Sequence, residues 1–420
     1  MNNYKTVKLA CYTSNVTMSV IASLSPLLFL TFRSLYGISF SLLGALVLIN
    51  FVTQLGIDLI FSFFSHKFNI EKAIRLTPLL ATVGILIYAI YPLLLPDTAY
   101  VGIVIGTVIF SAASGFGEVL ISPIIAAIPS DDPDREMSKL HSVYAWGVVA
   151  VVIFSTVFLQ IFGRESWHYL ALVLLAVPVT SFILFLSSKL PHLETPEKLS
   201  GTFSLIRSKK LWICVLAIFL GGAAECTMAQ WCSGYLEQSF GIDKLWGDIF
   251  GTALFSVMLG IGRTMYSKIG KNIYRVLLLG AIGATLCYFV SVFFLIPIVG
   301  LLACAMTGLC VSMLWPGSLI VAEKKNRTNS VFLFAMMAAG GDLGAAIVPQ
   351  AVGIITDSAM TNPTVLSLAA ELSVLPEQLT MRLGMLIGML FPLIGIFVFA
   401  KLYRDKKKEK SADALAFDKS

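Results

Sequence analysis

The segment GFGEVLISP, residues 115–123, sets a carboxylate, Glu118, inside an apolar run that begins near Tyr100. An ionised carboxylate in hydrocarbon is costly unless it is paired, neutralised or wet. Three further acids, Asp58, Glu225 and Asp342, stand in similar surroundings. The chemistry open to such a group is reversible proton binding. Protonated, it crosses a dry intermediate as a neutral group. Deprotonated, it holds the protein facing one side until a proton or a solute arrives. Glu118, Asp58 and Glu225 are therefore the candidate proton-coupling residues. Sodium is the alternative ion, and no cofactor is required.

Helical spacing shows what these acids share a face with. Asn50, Gln54 and Asp58 follow one another at four-residue steps, a polar stripe about 12 Å long at the helical rise. Asn15, Ser19 and Ser23 repeat the pattern, and Ser114, Glu118 and Ser122 make a third such row. His141 and Tyr144 share one side of their segment. Thr227, Gln230 and Trp231 share another, while Glu225 points elsewhere on the same helix. Asp342 follows Gly340-Gly341 at an expected kink, and Trp146, Trp231 and Trp315 fall at similar depth. The candidate solute-binding residues are Asn15, Asn50, Gln54, His141, Tyr144, Trp146, Gln230, Trp231, Trp315 and Asp342. The alternative for the uncharged ones is hydrogen bonding between packed helices, and for the tryptophans lipid-facing packing.

These residues need elements that cross a bilayer. Of the 420 residues, 57% are hydrophobic and 13% charged, about half the charged share of a soluble chain. The apolar residues form blocks long enough to span, read as 9–31, 41–65, 74–95, 99–128, 139–162, 167–188, 211–236, 247–268, 273–297, 299–322, 329–356 and 382–404. The expected class is an all-α integral membrane protein with twelve transmembrane helices. With the N-terminus inside, only Arg33, Arg164, Lys244 and Arg382 among the Lys and Arg fall toward the outer side. That bias predicts a multi-pass protein of the plasma membrane with both termini cytoplasmic. The basic residues are dispersed loop anchors without an aromatic platform, which argues against nucleic acid as a partner.

Cysteine spacing suggests no disulfide framework or metal site, and no HExxH, GxSxG or P-loop pattern is present. An enzyme is not expected. The polar stretch KLPHLETPEKLSGTFSLIRSKK divides six spans from six. We read 1–188 as an N-terminal six-helix bundle, 189–210 as a cytoplasmic linker, 211–404 as a C-terminal six-helix bundle and 405–420 as a basic tail. Gly115, Pro123 and Gly147 recur as Gly308, Pro316 and Gly340 at one offset of 193 residues. LGID at 55–58 recurs as LGIG at 259–262 with a different offset. Two such halves place a shared cavity between them at mid-depth. The segment 357–381 holds apolar positions at helical spacing and predicts a short helix on the outer surface.

Taken together these segments resemble the major facilitator superfamily, and within it the fucose permease-like group of sugar–proton symporters. Gly115–Pro123 is similar to the group's segment carrying a membrane-embedded Glu used in proton coupling, and Glu118 matches that Glu. LHSVYAWG is similar to a segment presenting sugar-binding side chains, with His141 and Tyr144 at those places. GIGR at 260–263, WPGSLIVAEKKN at 315–326 and GGDLGAAIVPQAVGIITD at 340–357 resemble its later segments. The group's first span carries an Asp shortly before a Pro, where VIASLSP here has only Ala22 and Ser23. Asp58 or Glu225 would stand in for it. His66, in SHKFNIEK, occupies the place of an Asp in the family's loop after span 2. The resemblance implies a monomeric secondary transporter moving a small hydrophilic solute, a sugar, by alternating access coupled to protons. Efflux of an amphipathic drug or metabolite is the alternative, and a solute sensor built on a transporter body is the third reading.

Overall fold

The computed structural model describes residues 4–64, 68–129, 133–191, 207–269, 272–326 and 331–417. His66 and most of the linker lie outside them. The first half comprises α1 (Lys5–Tyr36), α2 (Phe40–Phe64), α3 (Ile70–Leu94), α4 (Ala99–Ala127), α5 (Pro133–Phe162), α6 (Trp167–Leu174) and α7 (Ala176–Ser187). The second comprises α8 (Lys209–Phe240), α9 (Leu254–Ile269), α10 (Ile273–Phe293), α11 (Pro297–Val311), α12 (Leu314–Asn326), α13 (Val331–Met360), α14 (Pro363–Glu371) and α15 (Pro376–Phe417). A turn at Lys244–Trp246 and a π-helical stretch, Gly247–Ala253, lead into α9. Among the described residues, twelve helical spans are long and apolar enough to cross a membrane. An even number of crossings puts both termini at one end, here the termini end, opposite the far end.

The repeat is written most clearly in the first two spans of each half. The helices α1 and α8 are both 32 residues long and start at Lys5 and Lys209. Each ends on a left-handed glycine, Gly37 at φ 64° and Gly241 at φ 63°, a conformation that glycine adopts without a Cβ penalty. The starts, these caps and the LGID/LGIG pair all share an offset of 204 residues. The 193-residue echo does not coincide with the structural equivalence. The helices that contain it begin at Ala99 and Pro297, and at Pro133 and Val331, 198 apart. Gly115 and Gly308 still do the same job one turn out of register. A Cβ on Gly115 would meet Gln54 and Ile57 of α2, and one on Gly308 the carbonyl of Phe255 in α9.

The expected outer helix is α14, mostly exposed, with the Asn362 side chain accepting from the Thr364 and Val365 amides at its start. The tenth span is broken between α11 and α12. Pro316 has no N–H for the carbonyl of Ser312, so the ladder opens there. The halves meet along three seams: α1 on α8, α2 on α13, and α5 on the π-helical stretch and α9.

Candidate functional site

Glu118 sits on the face of α4 that also carries Thr107, Ser111 and Ser114, all buried. The lipid face of α4 is a different one, marked by exposed Val101, Ile105 and Val108. Glu118 is nonetheless solvent-exposed. An exposed carboxylate on an interior face lines a cavity between helices. Asp58 of α2 and Asp342 of α13 are within electrostatic reach of it and are themselves buried. Asp58 Oδ1 and Asp342 Oδ2 are enclosed and have no hydrogen-bond partner among the described residues. The three carboxyls come from both halves. Their mutual repulsion is offset only when protons or a cation reach them.

Glu225 of α8 differs. Its Oε1 accepts from Arg263 Nη2 at 3.0 Å, and Arg263 Nε donates to the Ser312 carbonyl at 3.1 Å. That carbonyl is the one Pro316 leaves free. An acid held by a guanidinium is less available for proton exchange than an unpaired one, which sets Glu225 apart from the other three. Tyr144 of α5, half-buried, is within electrostatic reach of Glu118, Glu225 and Arg263, so it joins the two groups of charges across the halves.

The remaining sequence candidates divide by what they touch. Asn15 donates to the Leu140 carbonyl at 2.6 Å, and Ser19 to the Tyr144 carbonyl at 2.9 Å. They fasten α1 to α5, where a Cβ on Gly147 would strike Ser19. Asn50 accepts from Ser111 at 2.6 Å, tying α2 to α4, and Gln54 is buried where α2 crosses Gly115. Gln230 is half-buried on α8. Trp315 lies against Gly222 and Gly341, which leave room for its ring between α8 and α13. The His141 side chain lies outside the described residues. Trp146 is 65% exposed on a stripe with Ala150, Ile153 and Val157, turned away from the Tyr144–Val148–Val152 face that meets the other half. It points to lipid. Trp146→Ala should leave solute uptake within about twofold of wild type, since surface changes of this kind cost under half a kcal/mol. An uptake assay with matched expression checks it.

The far end is sealed, and sequence reasoning missed most of the seal. Trp231 is buried against Phe29 and Phe40 and donates its indole N–H to the Pro349 carbonyl at 3.0 Å. Asp357 accepts from the amides of Phe40 and Ser41 at 3.1 and 2.5 Å, capping the start of α2 from the other half. Gln350 donates to the Ser41 carbonyl at 3.1 Å. Arg164 pairs with Glu237 at 2.8 Å. Thr156 donates to Asp248 at 2.9 Å, and Asp248 is also held by Lys244 and Ser233. A far-face cleft of about 490 Å³ beside Arg33, Arg164 and Glu237 lies above the seal. The Lys244–Asp248 spacing of four was the available signal, hidden because Asp248 sits at the edge of its apolar block.

Residues 10–349 match the family model of the Major Facilitator Superfamily. The chain belongs to that superfamily. It is a multi-pass membrane transporter and not an enzyme. Among solved structures, a bacterial homologue of the human lysosomal transporter Spinster, inward-facing and occupied, superposes with a TM-score of 0.72 at 11% identity, covering 95% of this chain and 96% of that one. A D-xylose–proton symporter gives 0.69 at 15% identity, covering 93% and 96%. The fucose–proton symporter FucP of E. coli gives 0.58 at 16% identity, covering 94% and 99%. At these identities the superfamily fold is what is shared. A comparison with curated proteins finds no match.

Proposed function

We propose that this superfamily member imports a small hydrophilic solute of the carbohydrate class together with protons, across the plasma membrane, with both termini in the cytoplasm. The observation that carries the reading is Glu118: an exposed carboxylate on an interior helix face, within electrostatic reach of Asp58 and Asp342 and supplied with no base there among the described residues. A proton is the smallest charge that relieves such a cluster, and a solute bound nearby can gate its release. Two structural neighbours, a fucose–proton symporter and a D-xylose–proton symporter, support the same class. Asp58 and Asp342 are then the partners that share the proton load, and the charge bias of the loops supports the orientation.

The test is accumulation in right-side-out vesicles, with radiolabelled L-fucose and D-xylose as probes. An imposed pH gradient should drive accumulation by the wild-type protein without sodium. Glu118→Gln should abolish gradient-driven accumulation while solute exchange at equal pH persists. Unchanged accumulation in Glu118→Gln, or a strict sodium requirement, overturns the reading.

A further inference from the structure

We infer that Arg263 and Glu225 form a binding element for vicinal hydroxyl groups, and that this element selects a neutral diol over an anionic solute. The inference rests on the import reading above and names the chemistry that its solute must present. The geometry starts at Pro316. Lacking an N–H, it frees the Ser312 carbonyl, and Arg263 Nε takes that acceptor at 3.1 Å. A second contact, Nη2 to Glu225 Oε1 at 3.0 Å, fixes the guanidinium plane. Neither contact uses Nη1, and the Arg263 side chain remains 37% exposed, three residues from the end of its span at Tyr266. Glu225 is only 14% exposed, and its second oxygen, Oε2, is enclosed without a donor among the described residues. A pair that served only to neutralise charge would close on itself. This one leaves Nη1 outside both contacts of a part-exposed guanidinium, on a pair whose Oε2 lacks a partner among the described residues.

A hydroxyl both donates and accepts, so adjacent hydroxyls match that combination. One accepts from Arg263 Nη1 while its neighbour donates to Glu225 Oε2, which must turn out of its enclosure to take it. An anionic solute would instead have to displace Glu225 from Arg263 and leave a carboxylate unpaired in a low-dielectric site. Tyr144, within electrostatic reach of both residues and of Glu118, stands between this element and the proton site.

Binding is measured on the purified full-length protein in nanodiscs at one pH, so that no gradient or proton movement enters. Thermal shifts are titrated with L-fucose, D-xylose and uridine, each beside an analogue lacking one vicinal hydroxyl, and with glucuronate and glucose 6-phosphate as anionic controls. At least one diol should stabilise the protein, and its deoxy analogue should bind about tenfold more weakly, the loss expected for one hydrogen bond to a charged group. Glu225→Gln and Arg263→Lys should each weaken diol binding by about tenfold or more, whereas Trp146→Ala, on the lipid face, should bind within about twofold of wild type. Pro316→Ala touches neither member of the pair. By returning an N–H to Ser312 it should loosen Arg263 and weaken binding as well, which keeps the test open if either pair variant fails to fold. The inference is overturned if the folded variants bind the diol as wild type does, if an anionic control binds in its place, or if no member of the panel binds. The first two outcomes leave the Glu118 vesicle result standing, and loss of that result alone leaves the diol site standing.

Discussion

Lys244→Met should be the most damaging single substitution in the protein, lowering its stability by about 3–5 kcal/mol, the cost of stranding a buried charge. Lys244 Nζ lies 2.8 and 3.1 Å from the two oxygens of Asp248, which is fully buried. Ser233 and Thr156 complete the set of donors. Removing the ammonium leaves the carboxylate with two hydroxyls and no countercharge. The double variant Lys244→Met/Asp248→Leu removes both charges and should recover most of the loss, because replacing a whole buried pair by apolar groups is close to neutral. Melting in nanodiscs followed by tryptophan fluorescence at a fixed heating rate reads both. A single variant that melts with the wild type, or a double variant no better than the single, would show that the pair's charge is not what stabilises this end. Asp248 also lies in the π-helical stretch, a geometry recurrent at functional positions. The double variant should accordingly keep its fold yet slow transport, since Thr156 then loses its acceptor in the opposite half.

Hydropathy made the twelve spans legible because a bilayer demands uninterrupted apolar length. It placed their edges poorly where helices outrun the hydrocarbon: α1 starts at Lys5, and α15 continues through the basic tail to Phe417. Asp58, Glu118, Glu225 and Asp342 were legible as four membrane acids because an acid in an apolar block is costly wherever it points. Their grouping was not: Asp342, read with the solute-binding residues, is the one within reach of Glu118 and Asp58, while Glu225 is held by Arg263. Tryptophans were not, since Trp146 and Trp231 differ only in helix rotation, which sends one to lipid and the other into the far-end seal. Asn15 and Asn50 illustrate the same limit. Their periodicity was plain, yet their amides are spent on α5 and α4. Pro316 announces a free carbonyl at Ser312 from sequence alone, but only the packing of α9 supplies Arg263 as its donor. The seal was the largest omission, because Asp248 and Asp357 flank apolar blocks and an edge acid reads as ordinary loop chemistry.

Gly353→Leu should hold the far end open and abolish net uptake. Where α2 and α13 cross, a Cβ on Gly353 would clash with the Phe40 carbonyl oxygen and lie 2.9 Å from its carbon. Both are backbone atoms, so no rotamer change relieves the clash and α2 itself must move. Its displacement also pulls the Phe40 and Ser41 amides from Asp357, whose contacts are 3.1 and 2.5 Å. Overpacking of this kind costs about 1–3 kcal/mol, and here only the far-closed state bears it. A difference of about 3 kcal/mol changes the ratio of the two states by about two orders of magnitude. The measurable sign is a cysteine at Ser41, labelled by a membrane-impermeant maleimide from the far side. It should react slowly in the wild type, where that segment is covered by α13, and much faster with Gly353→Leu present. Gly353→Ala, with a smaller side chain at the same crossing, should fall between the two in labelling and uptake. Wild-type labelling together with wild-type uptake in Gly353→Leu would mean that the α2–α13 crossing is not the surface on which the far end closes.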